Sequence, residues 1–363
     1  MSRIEKCGIK FNPYMENKRG NRKRKQRQYE LRRMRRLSKR RKRVRHYKSR
    51  KKNKKEKEPG QLFQITAPSD FRLLTNTTEC VNWFRLLRSL VLAAESPMGQ
   101  KYQRIDLAGV EHIDFASTMV LGVICEELLE ITPSCWCFGR LPKNPECAKY
   151  IKDSGFLNGM RDATGKPYSK SEGSESVKIQ RGKTRLENEK VRSIVQIDRH
   201  ACELLTGRNK VTYRHIDVIK EICGNAFVWS QAFNRQWVMG AKFENDKVVY
   251  VVLDLGKGIL DTLARNYFDI IKDKLAQNSG VEILLGAFKR KYGSASEDDN
   301  RNRGLPFVEK TFKDGYIKDL SVLCNNVYLD FSDPTKNKII AQDMHSAFDG
   351  TLYSWRIDAS CFK

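Results

Sequence analysis

The reading turns on residues 247–259, Lys247-Val248-Val249-Tyr250-Val251-Val252-Leu253-Asp254-Leu255-Gly256-Lys257-Gly258-Ile259. Lys247–Leu253 is dominated by β-branched and aromatic residues and reads as a strand. It pairs naturally with Trp237–Phe243 across an Asn245-Asp246 turn. The strand ends in Asp254-Leu-Gly256-Lys-Gly258, where two glycines let the backbone approach a planar ligand closely. A carboxylate at a strand end can accept the exocyclic amine of adenine. Asp-x-Gly-x-Gly alone recurs by chance in many chains, so its neighbours in sequence have to decide.

Upstream, Leu186–Leu205 and Thr212–Phe233 carry helical patterns, the second with a broad apolar face from Ile216, Val218, Ile219, Ile222, Ala226 and Val228. This second helix contains Glu221-Ile-Cys-Gly-Asn225, and residues four apart lie one turn apart on one face. An amide oxygen is a hard neutral ligand suited to Mg²⁺. A carboxylate one turn away can take a proton from a water that attacks a phosphate. Downstream, a polar loop from Tyr292 ends in Arg301-Asn302-Arg303-Gly304-Leu305-Pro306 and leads into a helix, Phe307–Phe312. A basic, glycine-containing loop before a helix N-terminus suits anionic phosphates. Strands are expected at Leu320–Cys324, Asn326–Phe331 and from Phe348-Asp349-Gly350-Thr351 to Arg356.

This ordered set resembles the GHKL ATP-binding fold, a Bergerat-type α/β sandwich shared by DNA gyrase B, ninety-kilodalton heat-shock chaperones, histidine kinases and mismatch-repair ATPases. The resemblance covers residues 185–357. It implies ATP and Mg as ligands, with Asn225 chelating Mg²⁺, Asp254 binding adenine and Thr351 supporting that aspartate. Gly256, Gly258 and Ile259 would line the nucleotide, and Arg303, Gly304 and Leu305 would close over the phosphates. Glu221 stands where hydrolysing members keep their general base. Where many members have Gly-x-Gly, this chain has Gly304-Leu305-Pro306, whose last residue donates no N–H.

The preceding stretch alternates strands and helices. Val81–Ala94 and Thr118–Ile131 read as helices, with Asp114 at an N-cap position, and Tyr102–Leu107 and Cys135–Phe138 as strands. A short helix over Pro145–Ser154 should end at Gly155. Residues 59–165 resemble the STAS domain of anti-sigma factor antagonists, through Ile105-Asp106-Leu107, Ile113-Asp114, Leu121, Leu141-Pro142 and Ser154-Gly155-Phe156-Leu157. The resemblance implies a protein partner. That family's phosphorylatable residue directly follows the aspartate; here Phe115 occupies the position, with Ser117 and Thr118 as substitutes. Cys135, Cys137 and Cys147 fall short of the two paired clusters of a structural zinc site. The small, polar residues 166–184 are expected to be a linker, and 358–363 a tail.

The sequence has 363 residues, 40% hydrophobic, with a formal net charge of +26. Residues 1–58 hold 27 Lys and Arg against 5 Asp and Glu, a net +22, which leaves +4 for the other 305 residues. The chain is thus a near-neutral body behind one basic arm, helical or disordered. Arg22, Lys23, Arg24, Lys25, Arg32, Arg33, Arg35, Arg36, Arg40, Arg41 and Arg43 form its densest runs, and they suit the phosphates of RNA or DNA. No run of eighteen apolar residues occurs, so no membrane span is expected. The first thirty residues lack the apolar core of a secretory signal. With ten unclustered cysteines, a reducing, cytoplasmic setting is expected.

Three roles for the nucleotide follow: a slow hydrolysing switch, taken first; a non-hydrolysing ATP-binding adaptor; and a serine- or histidine-type kinase. His200 lies 25 residues before Asn225, inside the same stretch, and is read as structural rather than as a phosphoacceptor.

Overall fold

The computed structural model describes residues 62–93, 102–131, 137–154, 156–157, 176–183, 186–229, 236–266, 280–289, 291, 304–341 and 347–363. The whole basic arm, Gly155 and Arg303 lie outside these residues.

The chain is mixed α/β. Its first half builds a three-stranded parallel sheet from β1 (Leu62–Thr66), β3 (Tyr102–Asp106) and β5 (Cys137–Arg140), in the order β1-β3-β5. A two-residue pair, β2 (Asp70–Phe71) with β4 (His112–Ile113), sits beside it in sequence. Helices α1 (Thr77–Ala93), α2 (Phe115–Ile131) and α3 (Pro145–Asp153) complete this half. The second half runs β6 (Val177–Gly182), α4 (Asn188–Thr206), α5 (Tyr213–Trp229), β7 (Trp237–Phe243), β8 (Val248–Asp254), α6 (Gly258–Asn266), α7 (Gly280–Phe288), α8 (Gly304–Lys313), β9 (Lys318–Asn325), β10 (Val327–Asp330), β11 (Lys338–Ile339) and β12 (Phe348–Ile357). Seven of these strands form one antiparallel sheet in the order β11-β10-β9-β12-β8-β7-β6.

The alternation of side chains along β8 shows why the run at 248–254 is apolar without a break. Val248, Tyr250 and Val252 point into a core shared with α4–α8, and Tyr250 stacks on Trp355 of β12 at 5.4 Å. Val251 and Leu253 point the other way, into a core shared with α1, α2 and the parallel sheet. A strand covered on both faces needs apolar residues at both parities.

Helix α2 shows the same logic in helical form. Asp114 caps it, accepting the Ser117 N–H at 2.7 Å, and its other oxygen accepts the Leu74 N–H at 3.0 Å. Burial pushes the Asp114 carboxyl up even though these N–H groups favour its charge. From Phe115 to Cys125 almost every residue is buried. A helix that is apolar all round belongs in the interior. Here it packs on α1 and on β7 and β8. Phe115, at the position of the expected phosphoacceptor, is a core residue at 4% exposure. Ser117 and Thr118 are buried too: the Ser117 hydroxyl accepts the Leu73 N–H at 2.9 Å, and the Thr118 hydroxyl donates to the Asp114 carbonyl at 3.1 Å. The expectation that either could stand in as a phosphoacceptor is therefore corrected, since both hydroxyls serve internal structure.

Two other expectations change. Residues 177–182, read as linker from the Ser- and Gly-rich composition before them, form β6 and pair with β7 along their whole length. The supposed tail holds a 3₁₀ turn at Ala359–Cys361, capped by Asp358 with Cys361 buried. Residues 61–363 group as one compact unit, because the two halves share the core beneath α2.

Gly240 of β7 marks how close that packing is. A Cβ there would stand 2.7 Å from Met119 Sδ and 2.7 Å from Phe115 Cζ, both on α2. Overpacking of this kind costs about 1–3 kcal/mol. Gly240→Ala should therefore lower the unfolding midpoint in denaturant by a corresponding amount, with an unchanged slope. An unaffected midpoint would contradict the shared core.

Candidate functional site

The chemistry gathers at the end of β8, where Asp254 passes into a tight loop and then α6. Two glycines permit the path. Gly258, at φ +77°, begins α6; a Cβ there would collide with the Asn325 side chain and stand 2.8 Å from the Gly350 carbonyl. Gly350, at φ +113°, would drive a Cβ into the Asp254 carbonyl. The loop and the start of β12 thus touch backbone to backbone, which only glycine allows.

Two residues missed in sequence fix this loop. Asn325, buried at φ +52° at the end of β9, donates Nδ2 to the Lys257 carbonyl at 2.7 Å, and its Oδ1 accepts the Leu260 N–H at 3.2 Å. The Ile259 N–H reaches Cys324 Sγ at 3.0 Å. Together they satisfy first-turn donors of α6 that lack intrahelical partners. The Asn325-Asn326 dipeptide between two strands is the signal that could have found them, since Asn tolerates the left-handed region.

Asp254 is buried, with 6% of its surface exposed. Its Oδ1 accepts the Gly256 N–H at 2.9 Å, and no other hydrogen bond reaches the carboxylate among the described residues. Burial pushes the carboxyl up to about 7, opposed by the Gly256 N–H and the charge of Arg88. Thr351 stands directly across from Asp254 in the β12–β8 register, buried. Its hydroxyl donates to Cys324 Sγ at 3.7 Å, and it meets Asp254 through the strand pairing.

Helix α5 lies beside this loop. Cys223 is fully in the core, its thiol pushed up by burial and then by the charge of Asp254. Glu221 and Asn225, on either side of it in sequence, are half-buried. They share a flank of α5 with Arg214, seven and eleven residues earlier respectively. Arg214 lies over the rings of Phe307 on α8 and Tyr316, at 5.4 and 5.7 Å. The flank carrying Glu221 and Asn225 is thus the one α8 approaches.

Helix α8 begins at Gly304, three residues before the expected start. Pro306 therefore falls in the first turn, where its missing N–H breaks no intrahelical bond. The space where a Cβ of Gly304 would stand is open, while Leu305 and Ile259 pack partly against the core. His200 is exposed and leans on Phe243 at 4.8 Å. The Cys147 thiol donates to the Glu111 carbonyl at 3.3 Å. No cluster of three or more His, Cys, Asp or Glu able to hold a metal occurs among the described residues.

Comparison with protein-family models, curated proteins and solved structures finds no match to this chain. The case for a function therefore rests on the residues themselves. At this site they supply a buried carboxylate with hydrogen-bonding capacity to spare, a glycine-lined turn and a Glu/Asn pair one helical turn apart.

Proposed function

We propose that the chain binds Mg-ATP at the Asp254 loop, in a Bergerat-type sandwich of the GHKL kind preceded by a STAS-like layer, and hydrolyses it slowly as a conformational switch. The observation that carries this reading is the state of Asp254. It is a buried carboxylate with one oxygen held by the Gly256 N–H and no second donor among the described residues. Such a group is costly to leave unpaired, and an exocyclic amine of adenine is a donor of the right kind. The ordered boxes around it in sequence, from Glu221 to Thr351, support the same reading.

In this account Asp254 and Gly256 select the base, and Gly258 lets the backbone approach the sugar. Gly304 and Leu305 present the first turn of α8 to the phosphates. Asn225 Oδ1 is the protein ligand offered to Mg²⁺, which when bound neutralises charge on the phosphates. Glu221 takes the proton of the attacking water on a carboxylate oxygen. A binding-only adaptor is the second reading, favoured by Pro306, which removes one N–H from the phosphate-facing turn. Self-phosphorylation is disfavoured by the burial of Ser117 and Thr118.

Phosphate release by the purified chain, with and without RNA or DNA, tests hydrolysis. Slow release that depends on Mg²⁺ supports the switch; tight ATP binding without release supports the adaptor. Labelled phosphate on protein would favour a kinase.

The basic arm is proposed to hold nucleic acid. With +22 in residues 1–58, its affinity should fall steeply with salt through counterion release. Deleting residues 1–58 should abolish retention and leave ATP binding intact. A truncated chain that retains nucleic acid as tightly as before would place the interface elsewhere.

A further inference from the structure

The loop that carries Asp254 is held from its far side by a residue of the first half. Arg88 of α1 has 12% of its side chain exposed. Its Nε and Nη2 fork onto Glu127 of α2 at 2.9 and 3.1 Å, and Glu127 is 4% exposed. Nη2 also donates to the Leu255 carbonyl at 2.9 Å, and Nη1 to Asp349 Oδ2 at 2.8 Å. Leu255 lies between Asp254 and Gly256, and Asp349 immediately precedes Gly350. One guanidinium therefore ties α1, α2, the β8 loop and the start of β12 together. The recess around it is lined by apolar Val81, Phe84, Leu255 and Phe348 and by the charged Arg85 and Asp349; the bonds to Glu127 and Leu255 are partly buried, and the one to Asp349 is exposed. Simple packing needs no such fork. An aliphatic residue would fill the same space without aiming donors at a loop carbonyl.

We propose that Arg88 is a positioning residue of the nucleotide site. It fixes the Asp254–Gly256 loop through the Leu255 carbonyl and makes nucleotide affinity depend on how α1 and α2 pack. The proposal rests on the reading of Asp254 as the adenine acceptor. Among the described residues, Arg88 from α1, Tyr353 from β12, Cys223 from α5 and Cys324 from β9 interact electrostatically with Asp254; Lys257 shares its loop, and Arg85 of α1, Glu127 of α2 and Asp349 of β12 surround Arg88. The charge of Arg88 acts on Asp254, so it also favours the ionised carboxylate that accepts from the base.

Three variants of the full chain test this. Arg88→Lys keeps the charge and loses the fork. Arg88→Gln loses both. Arg88→Gln with Glu127→Gln also removes the buried carboxylate that Arg88 pairs with, and so protects folding. Thermal unfolding, amide exchange over 254–258 and calorimetric affinity for Mg-ATP are measured from about pH 6 to about pH 9, a range that spans the Asp254 value of about 7.

The expected result is a cooperative transition with faster exchange over 254–258 in all three variants. ATP affinity should fall roughly tenfold near neutral pH, as for loss of a charge-assisted hydrogen bond. In Arg88→Gln the pH midpoint of binding should move up, so that the deficit shrinks toward alkaline pH, and Arg88→Lys should restore that midpoint without restoring loop protection. Wild-type exchange and affinity in the variants, or a uniform loss of affinity at an unmoved midpoint, would overturn the proposal while leaving ATP binding standing. A wild-type chain that binds no ATP would overturn both.

Discussion

Asp254→Asn should abolish adenine-nucleotide binding and leave the fold at least as stable at alkaline pH. The loss follows from chemistry at one atom pair. The carboxylate accepts at one oxygen from Gly256, and in the proposed complex it accepts at the other from the ligand. The amide puts a donor at one of these positions and leaves a polar clash in a buried site. Sites built around such a bond discriminate by about 10²-fold or more, so ATP affinity should fall at least that far. Stability should move differently. The folded carboxyl is raised to about 7 by burial, against about 4 in an unfolded chain. Its favourable contribution is therefore complete below about pH 4 and is lost as pH rises through about 7. Above that point the folded chain holds an ionised buried carboxylate, and the asparagine variant does not. Thermal unfolding of both at about pH 8 should show the variant melting at or above wild type. A variant that melts far lower would mean that Asp254 is a structural residue.

The second large effect belongs to Glu221. If its carboxylate takes the proton of the attacking water, Glu221→Ala should leave ATP affinity nearly unchanged, because only the transition state uses that interaction. Hydrolysis should fall by roughly 10²–10⁴-fold, the usual contribution of a general base. Single-turnover phosphate release alongside equilibrium binding separates the two quantities. Equal loss of affinity and rate would assign Glu221 to holding α5 in place. Turnover at the buffer's rate in both proteins would favour the binding-only adaptor.

Much of this arrangement is legible in one dimension because it depends on short-range rules. Strands β7, β8, β9 and β12 come within a residue or two of their expected bounds, since long apolar β-branched runs leave few alternatives. Asp114 is recognisable as a cap because capping is a three-residue matter. The contacts that join the halves are of another kind. Val251 and Leu253 face α2, yet a strand buried by any cover reads the same. Strand β6 hides behind a Ser- and Gly-rich stretch, and its place comes from β7, some sixty residues on. Helix α8 begins three residues before the pattern places it, because in a first turn the N–H that Pro306 lacks has no intrahelical partner to lose. Arg88 gives no local sign at all. Its bond to Leu255 spans 167 residues, and only the fold brings the two together.

The central claim is that the Asp254 loop recognises adenine. Calorimetric titration of the full chain with Mg-ATP and, separately, with Mg-GTP tests it most directly. The account predicts saturable binding of one ATP per chain, strong preference over GTP, and no heat from either nucleotide with Asp254→Asn. Equal affinity for the two nucleotides, or binding that survives Asp254→Asn, would contradict it.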